Sequence, residues 1–366
     1  MKQDILISIG FLAGLFVLVL SGCGGNDLDR RPCTEDLPCP QPTVNSCPNL
    51  TPGEWTFLGL ENEDVTAIAA HPCNPGIIYA GTQRNFSEGV QGKLFRSTDC
   101  GQSWDTLAVG GSYHAIHFSP TNPDVVYALN DHILKSTNGG SRWRRADEGI
   151  RLDSETFAVA LAINPTNACR LYAGTGGFYG GDLYRSDNGG ESWRQVFERE
   201  VTAIAIDPAD PAQIFIGSYG NVLRSTDGGD QWEATGLSDT GSFVHSLLID
   251  PANKSVLYAG LNQEGLHTSR NSGKSWSVVT NEFLADTTSV VELAMDGQNK
   301  VLHVATTYSD SGTLLAYHTS SDTWEELPVP ITDKSFYYSK LKVHEFKGRV
   351  YTYFGIPSGI YVRIDE

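Results

Sequence analysis

One phrase recurs five times along the chain. Residues 97–104 read STDCGQSW, 136–143 STNGGSRW, 186–193 SDNGGESW, 225–232 STDGGDQW and 269–276 SRNSGKSW. Trp55 and Trp324 complete a set of seven tryptophans spaced 49, 39, 50, 39, 44 and 48 residues apart, so none falls outside the period. A module of that length cannot bury its own apolar face and must stack on copies of itself. Each phrase follows three short apolar segments: VTAIAAHP or VTAIAIDP, then IIYAGT or RLYAGT, then KLFRS or DLYRS. The tryptophan opens a fourth segment.

Four short strands per unit of 40–50 residues is the pattern of a β-propeller blade. Six units span residues 65–327, and the C-terminal segments 338–346, 349–353 and 360–364 supply three further strands. The fourth lies at the other end, where EWTFLGL at 54–60 is a lone tryptophan-opened strand. The expected fold is all-β: a seven-bladed propeller whose last blade is closed by the N-terminal strand, which removes exposed sheet edges.

The phrase resembles the Asp-box, or bacterial neuraminidase repeat, S-x-D-x-G-x-x-W. Ser97, Asp99, Gly101 and Trp104 match it in full, as do Ser225, Asp227, Gly229 and Trp232. Asn138, Asn188 and Asn271 replace the aspartate in the copies that begin at Ser136, Ser186 and Ser269 and end at Trp143, Trp193 and Trp276. The unit at Trp324 (HTSSDTW) has lost the turn. The resemblance covers the chain from Trp55 onward and implies the fold. It does not select among the sialidases, xyloglucanases, sortilin-type receptors and photosystem II assembly-factor propellers that share such blades. Asp-Gly and Asn-Gly tolerate positive φ, and the serine and aspartate can bond the turn's own backbone. No catalytic cycle needs five copies of such a turn, so the phrase is scaffolding.

The N-terminus sets the compartment. Residues 5–20 form an apolar run of 16 after Lys2, shorter than the ~20 a spanning helix needs. It ends in LSGC at 20–23, the layout of a secretory signal. That box resembles the bacterial lipobox, which implies cleavage before Cys23 and a lipid on its sulfur and amine; a plain signal peptide is the alternative. Gly24 stands where aspartate would favour inner-membrane retention, so the resemblance points to the outer membrane of a two-membrane bacterium. The expected organisation is a signal at 1–22, a Pro- and Cys-rich tether at 23–53 and a propeller at 54–366.

A formal charge of -17 argues against nucleic acid as a partner, because phosphate binding depends on clustered Lys and Arg. The same acidity departs from the basic patch of the photosystem II assembly factors. No cofactor motif is present. Apart from Cys23, six cysteines remain, an even number consistent with disulfides in an exported chain. Cys33, Cys39 and Cys47 lie in the tether; Cys73, Cys100 and Cys169 lie in turns on the face that carries the repeated phrase. The favoured arrangement staples the tether across that face, with Cys47 joined to Cys73. The alternative joins Cys33 to Cys39 and Cys73 to Cys100.

Binding residues are expected on the opposite face, where the second-to-third and blade-to-blade loops gather. Comparison of the units singles out His114, His117, His245 and Glu292 on inner strands whose corresponding positions are mostly small. Blades two, five and six lie across the channel from one another, so a metal site built from these four is not expected. Tyr113, Tyr179, Tyr219, Phe243, Tyr308 and Tyr337, with Phe86 and Phe178, fall among the loops beside Asp64, Arg84, Glu155 and Glu200. Aromatic rings interleaved with carboxylates suit sugars or peptide side chains. A sialidase-like site would need three arginines, but Arg84, Arg151 and Arg199 all lie in the first half of the ring, and no acid–base carboxylate pair is identifiable. No catalytic residue is assigned. The expected function is recognition of a protein or glycan, with a surface glycoside hydrolase as the rival.

Overall fold

The computed structural model describes residues 47, 50–85, 87, 89–153, 155–177, 180–284, 288–308, 311–329 and 340–365. The signal segment, Cys23, Cys33, Cys39, Phe86, Phe178, Tyr179 and Tyr337 lie outside the described residues, as does the Tyr308 side chain.

Seven four-stranded antiparallel sheets form the blades. Blade one runs Val65–Ala70, Ile78–Thr82, Lys93–Ser97 and Asp105–Val109, in chain order from the channel outward. Blades two to six repeat this from inner strands Ala115–Phe118, Thr156–Ile163, Ala203–Ile206, Val244–Ile249 and Ser289–Asp296. Blade seven draws Lys340–Phe346, Arg349–Ile356 and Gly359–Asp365 from the C-terminus. Its outer strand is Trp55–Phe57, with Trp55 opposite Arg363.

The apolar core is distributed between blades. Ala67, Tyr79 and Leu94 of blade one pack on Tyr113, Ile116 and Val126 of blade two. Val65 and Ile68 pack on Tyr351, Tyr353 and Val362 of blade seven. The glycine of the repeated Y-A-G segment permits this closeness. A Cβ on Gly81 would lie 2.5 Å from the Tyr113 Cβ, and one on Gly260 would lie 2.5 Å from Val290 Cγ1. Real side chains do not approach that closely, so any substitution would push the next blade outward.

The five turns share one hydrogen-bond pattern. The serine hydroxyl donates to the Asp or Asn carboxyl or amide oxygen, at 2.8 Å for Ser97–Asp99 and 3.0 Å for Ser136–Asn138. It accepts from the second glycine's N–H, at 2.8 Å for both Gly101 and Gly229. The same Asp or Asn oxygen also accepts the backbone N–H of the residue four positions along, in both kinds of copy: Ser103 N–H donates to Asp99 at 2.9 Å and Arg142 N–H to Asn138 at 2.9 Å. Asparagine therefore substitutes freely because only the one oxygen is required. Each turn also docks on the first-to-second turn of its own blade, Cys100 N–H on Gly76 O at 3.0 Å and Gly189 N–H on Cys169 O at 2.8 Å. Both kinds of turn thus occupy one face.

The turns also join blades. Gly139 O accepts the Tyr79 hydroxyl at 2.7 Å and Arg96 Nη1 at 2.8 Å, both from the preceding blade. Gly189 O accepts Tyr127 at 2.9 Å and Lys135 at 2.8 Å, and Gly228 O accepts Tyr172 at 2.7 Å and Arg185 at 2.9 Å. A carbonyl whose two lone pairs meet a phenol and a cation is fully satisfied. The indole N–H of Trp104 reaches back to Leu58 O at 2.8 Å, and that of Trp193 to Ala146 O at 2.8 Å.

The disulfide expectation needs correction. Cys47 is bonded to Cys100, with Cα atoms 5.6 Å apart, and neither Cys47–Cys73 nor Cys73–Cys100 forms. Cys100 stands where other copies have Gly139, Gly189 and Gly228, and it is buried in one apolar cluster with Cys47 and Leu58, with Leu50 packed against them. Cys73 and Cys169 are also disulfide-bonded. One tether cysteine is therefore fastened to the turn face.

Candidate functional site

Strand register places the inner-strand candidates in two tiers of the channel. Ala67 pairs with Gly81 and Ala69 with Tyr79 in blade one. By the same register Glu292, opposite Ala305, belongs to the first tier, and His117, opposite Tyr127, to the second. Blade seven contributes Lys340 opposite Gly355 to the first tier and Lys342 opposite Tyr353 to the second. Elsewhere both tiers hold alanine, serine or leucine. A cavity of about 440 Å³ includes both lysines together with His114, His117, His245 and Glu292. The four candidates therefore share one channel. Among the described residues, no three His, Cys, Asp or Glu side chains stand close enough to hold a metal ion.

The lysines were not singled out from sequence. A signal existed, since Lys340-Leu341-Lys342 alternates as an inner strand does, but blade seven carries no copy of the repeated phrase that aligns blades one to five. Lys340 Nζ donates to Glu292 Oε2 at 2.9 Å, so the first-tier carboxylate is neutralised across the joint between blades six and seven. Lys342 makes no ion pair among the described residues. It is exposed to the solvent of the channel yet walled by protein, and burial lowers its pKa against the opposing pull of Glu292. Burial likewise brings His117 down to about 4, helped by Lys342 and Lys340. His114 also falls to about 4, through burial and then Lys340. His245 is lowered by burial and Lys340. All three imidazoles are neutral at pH 7, leaving two cations and one carboxylate.

Around the mouth, Arg84 bridges to Asp131 of blade two at 2.6 Å. Asp64 accepts the Gln83 side-chain amide. Tyr219 is 55% exposed and meets Phe243 edge to face, with ring centroids 5.0 Å apart. Glu155 is exposed. Glu200 is half-buried over the Gly176 backbone, and burial raises its pKa. Tyr113 must be removed from the ligand candidates. It is 1% exposed, because its side chain fills the space over Gly81 and seals the joint between blades one and two.

No protein-family model matches the chain. A xyloglucanase of a Paenibacillus species is 30% identical over 151 residues, which are 34% of this chain and 14% of the relative. A xyloglucanase of Acetivibrio thermocellus is 31% identical over 150 residues, 34% of this chain and 18% of the relative. The chain thus spans less than a fifth of the length of these two relatives. Among solved structures, the GH74 enzyme of Niastella koreensis superposes with a TM-score of 0.62 at 18% identity, covering 84% of this chain and 53% of that one. YCF48 from Cyanidioschyzon merolae superposes with a TM-score of 0.58 at 16% identity, covering 84% of this chain and 98% of that one. A structure of YCF48 bound to D1 peptide gives a TM-score of 0.57 at 17% identity, over 86% of this chain and 96% of that one. Similarity at these identities shows the fold: this chain is a seven-bladed propeller of the kind seen in GH74 enzymes and YCF48.

Proposed function

We propose that this protein is a lipid-anchored propeller of the bacterial envelope that recognises a protein or glycan through the face opposite its Asp-box turns. The observation that carries this reading is the exposed Tyr219–Phe243 edge on that face. A rigid aromatic edge is a low-entropy anchor for a sugar ring or an apolar peptide side chain. The Asp131 and Glu292 carboxylates are held by Arg84 and Lys340, which suits positioning a ligand better than attacking one. A YCF48 propeller of similar fold has been captured with a peptide, which supports a protein ligand.

A glycoside hydrolase is the second reading, favoured by the xyloglucanase relatives and by Glu200, whose raised pKa suits a general acid. One experiment separates the two. The protein is incubated with xyloglucan and other polysaccharides while reducing ends and binding are both measured. The binding reading expects no turnover, and saturable binding that weakens about tenfold in Tyr219→Ala, typical for loss of an aromatic anchor. Turnover that disappears in Glu200→Gln would establish the hydrolase instead.

A further inference from the structure

The second channel tier has an asymmetry that loop-face recognition does not use. Lys342 of blade seven and His117 of blade two flank blade one, which presents only the Ala69 methyl between them. All three line a cavity of about 340 Å³, open beneath the first tier. The nearest first-tier carboxylate, Glu292, is already engaged by Lys340 at 2.9 Å. Glu345, which also lines this cavity, is engaged in turn: it accepts the backbone N–H groups of Gly297 at 2.8 Å and Gln298 at 3.3 Å. An ammonium with no ion-pair partner among the described residues therefore shares this cavity with an imidazole, inside a protein of formal charge -17.

We propose that this cavity is a binding site for a small oxyanion, a carboxylate or phosphate group, held by the Lys342 ammonium and the N–H of His117. Several physical features converge on this. An ammonium with no ion-pair partner among the described residues can take an incoming anion as a charge-assisted hydrogen bond without first breaking a salt bridge. The depressed basicity of both groups has the same cause and would be reversed by a bound negative charge. Alanine at position 69 leaves the floor open, whereas a larger side chain would close it. The site is independent of the Tyr219–Phe243 edge, so either reading can fail alone.

Isothermal titration of the folded protein with sodium phosphate and, separately, with succinate in low-salt buffer tests the site. Saturable binding of either anion is expected, and which one binds identifies the preferred group. Lys342→Met should weaken it at least about tenfold, while Lys342→Arg, which keeps the charge, should retain most of it. Ala69→Leu should block binding while leaving both polar groups in place. The imidazole resonances of His117 should report a pKa that rises from about 4 when anion is added. The absence of saturation by both anions up to about 10 mM, a concentration well above a millimolar Kd, would overturn the proposal. So would binding that Lys342→Met leaves unchanged.

Discussion

Adjacent positions in the repeated turn are under different constraints, and the difference is measurable. Gly228 has φ +76°, and its added Cβ would meet the end of the flexible Arg170 side chain at 3.3 Å and the Tyr172 hydroxyl at an ordinary 3.8 Å. Cys100 and Ser272 occupy that position in other copies, at φ +64° and +58°. Gly229 has φ +87°, and its Cβ would stand 3.0 Å from the Tyr172 ring and 3.4 Å from Trp232. Gly228→Ala should cost about 1 kcal/mol, the ordinary penalty for positive φ. Gly229→Ala should cost about 2–4 kcal/mol, because overpacking adds to the same strain. Urea unfolding midpoints of the two variants check the order. This contrast was partly legible in the sequence, since the second glycine is present in all five copies and the first is not. Lys340 and Lys342 were not legible in the same way. Their tier depends on pairing with Gly355 and Tyr353, and register is a property of two strands together. Tyr113 was misread for a related reason: it sits beside a loop, but its ring turns into the joint over Gly81.

At the scale of the element, the tyrosine of the second strand acts as a latch on the following blade. Tyr172 is fully buried and donates to Gly228 O at 2.7 Å, beside Arg185 at 2.9 Å. Tyr172→Phe should cost about 1 kcal/mol, the net value of one such bond, because Arg185 still satisfies the carbonyl. Combined with Arg185→Met, which leaves that carbonyl buried and unpaired, the loss should exceed the sum of the single losses. A double-mutant cycle of thermal melts measures the excess. The sequence displayed the tyrosine as a recurring letter in IIYAGT and RLYAGT but gave no sign of its partner, which lies 56 residues away in Tyr172's case. Periodicity reveals strands, because alternation and turn residues are local. It does not reveal what one unit does to the next.

For the whole molecule, the Cys47–Cys100 bond ties the segment preceding Trp55 to blade one across 53 residues. Cys100→Gly removes this bond while restoring the residue found at Gly139, Gly189 and Gly228. Loop-closure entropy for that length is about 4 kcal/mol, offset by about 1 kcal/mol from relief of positive φ at Cys100. Other cross-links to the same segment would reduce the difference. The variant should therefore melt at a lower temperature when oxidised, and when both proteins are reduced the order should reverse, the variant keeping the advantage of about 1 kcal/mol from relief of the positive φ at Cys100. Blade number and order were legible from tryptophan spacing alone, whereas this pairing was not, because six cysteines admit many connections. The joints of the ring are also unequal. From blade one to blade four each carries a phenol and a cation on the next turn. At the following joint Phe215 has no hydroxyl and Arg224 turns back to Gln213 at 2.6 Å, leaving Gly236 N–H on Gly273 O at 2.8 Å. A cavity of about 360 Å³ opens there, between Arg224 and Glu233 on one side and Ser272 and Lys274 on the other. A cuff made of riveted plates flexes where a rivet is missing. A ligand or a pull on the tether that strains the joint between blades four and five meets less resistance there than at the three joints before it, and blades one to four will turn as one piece.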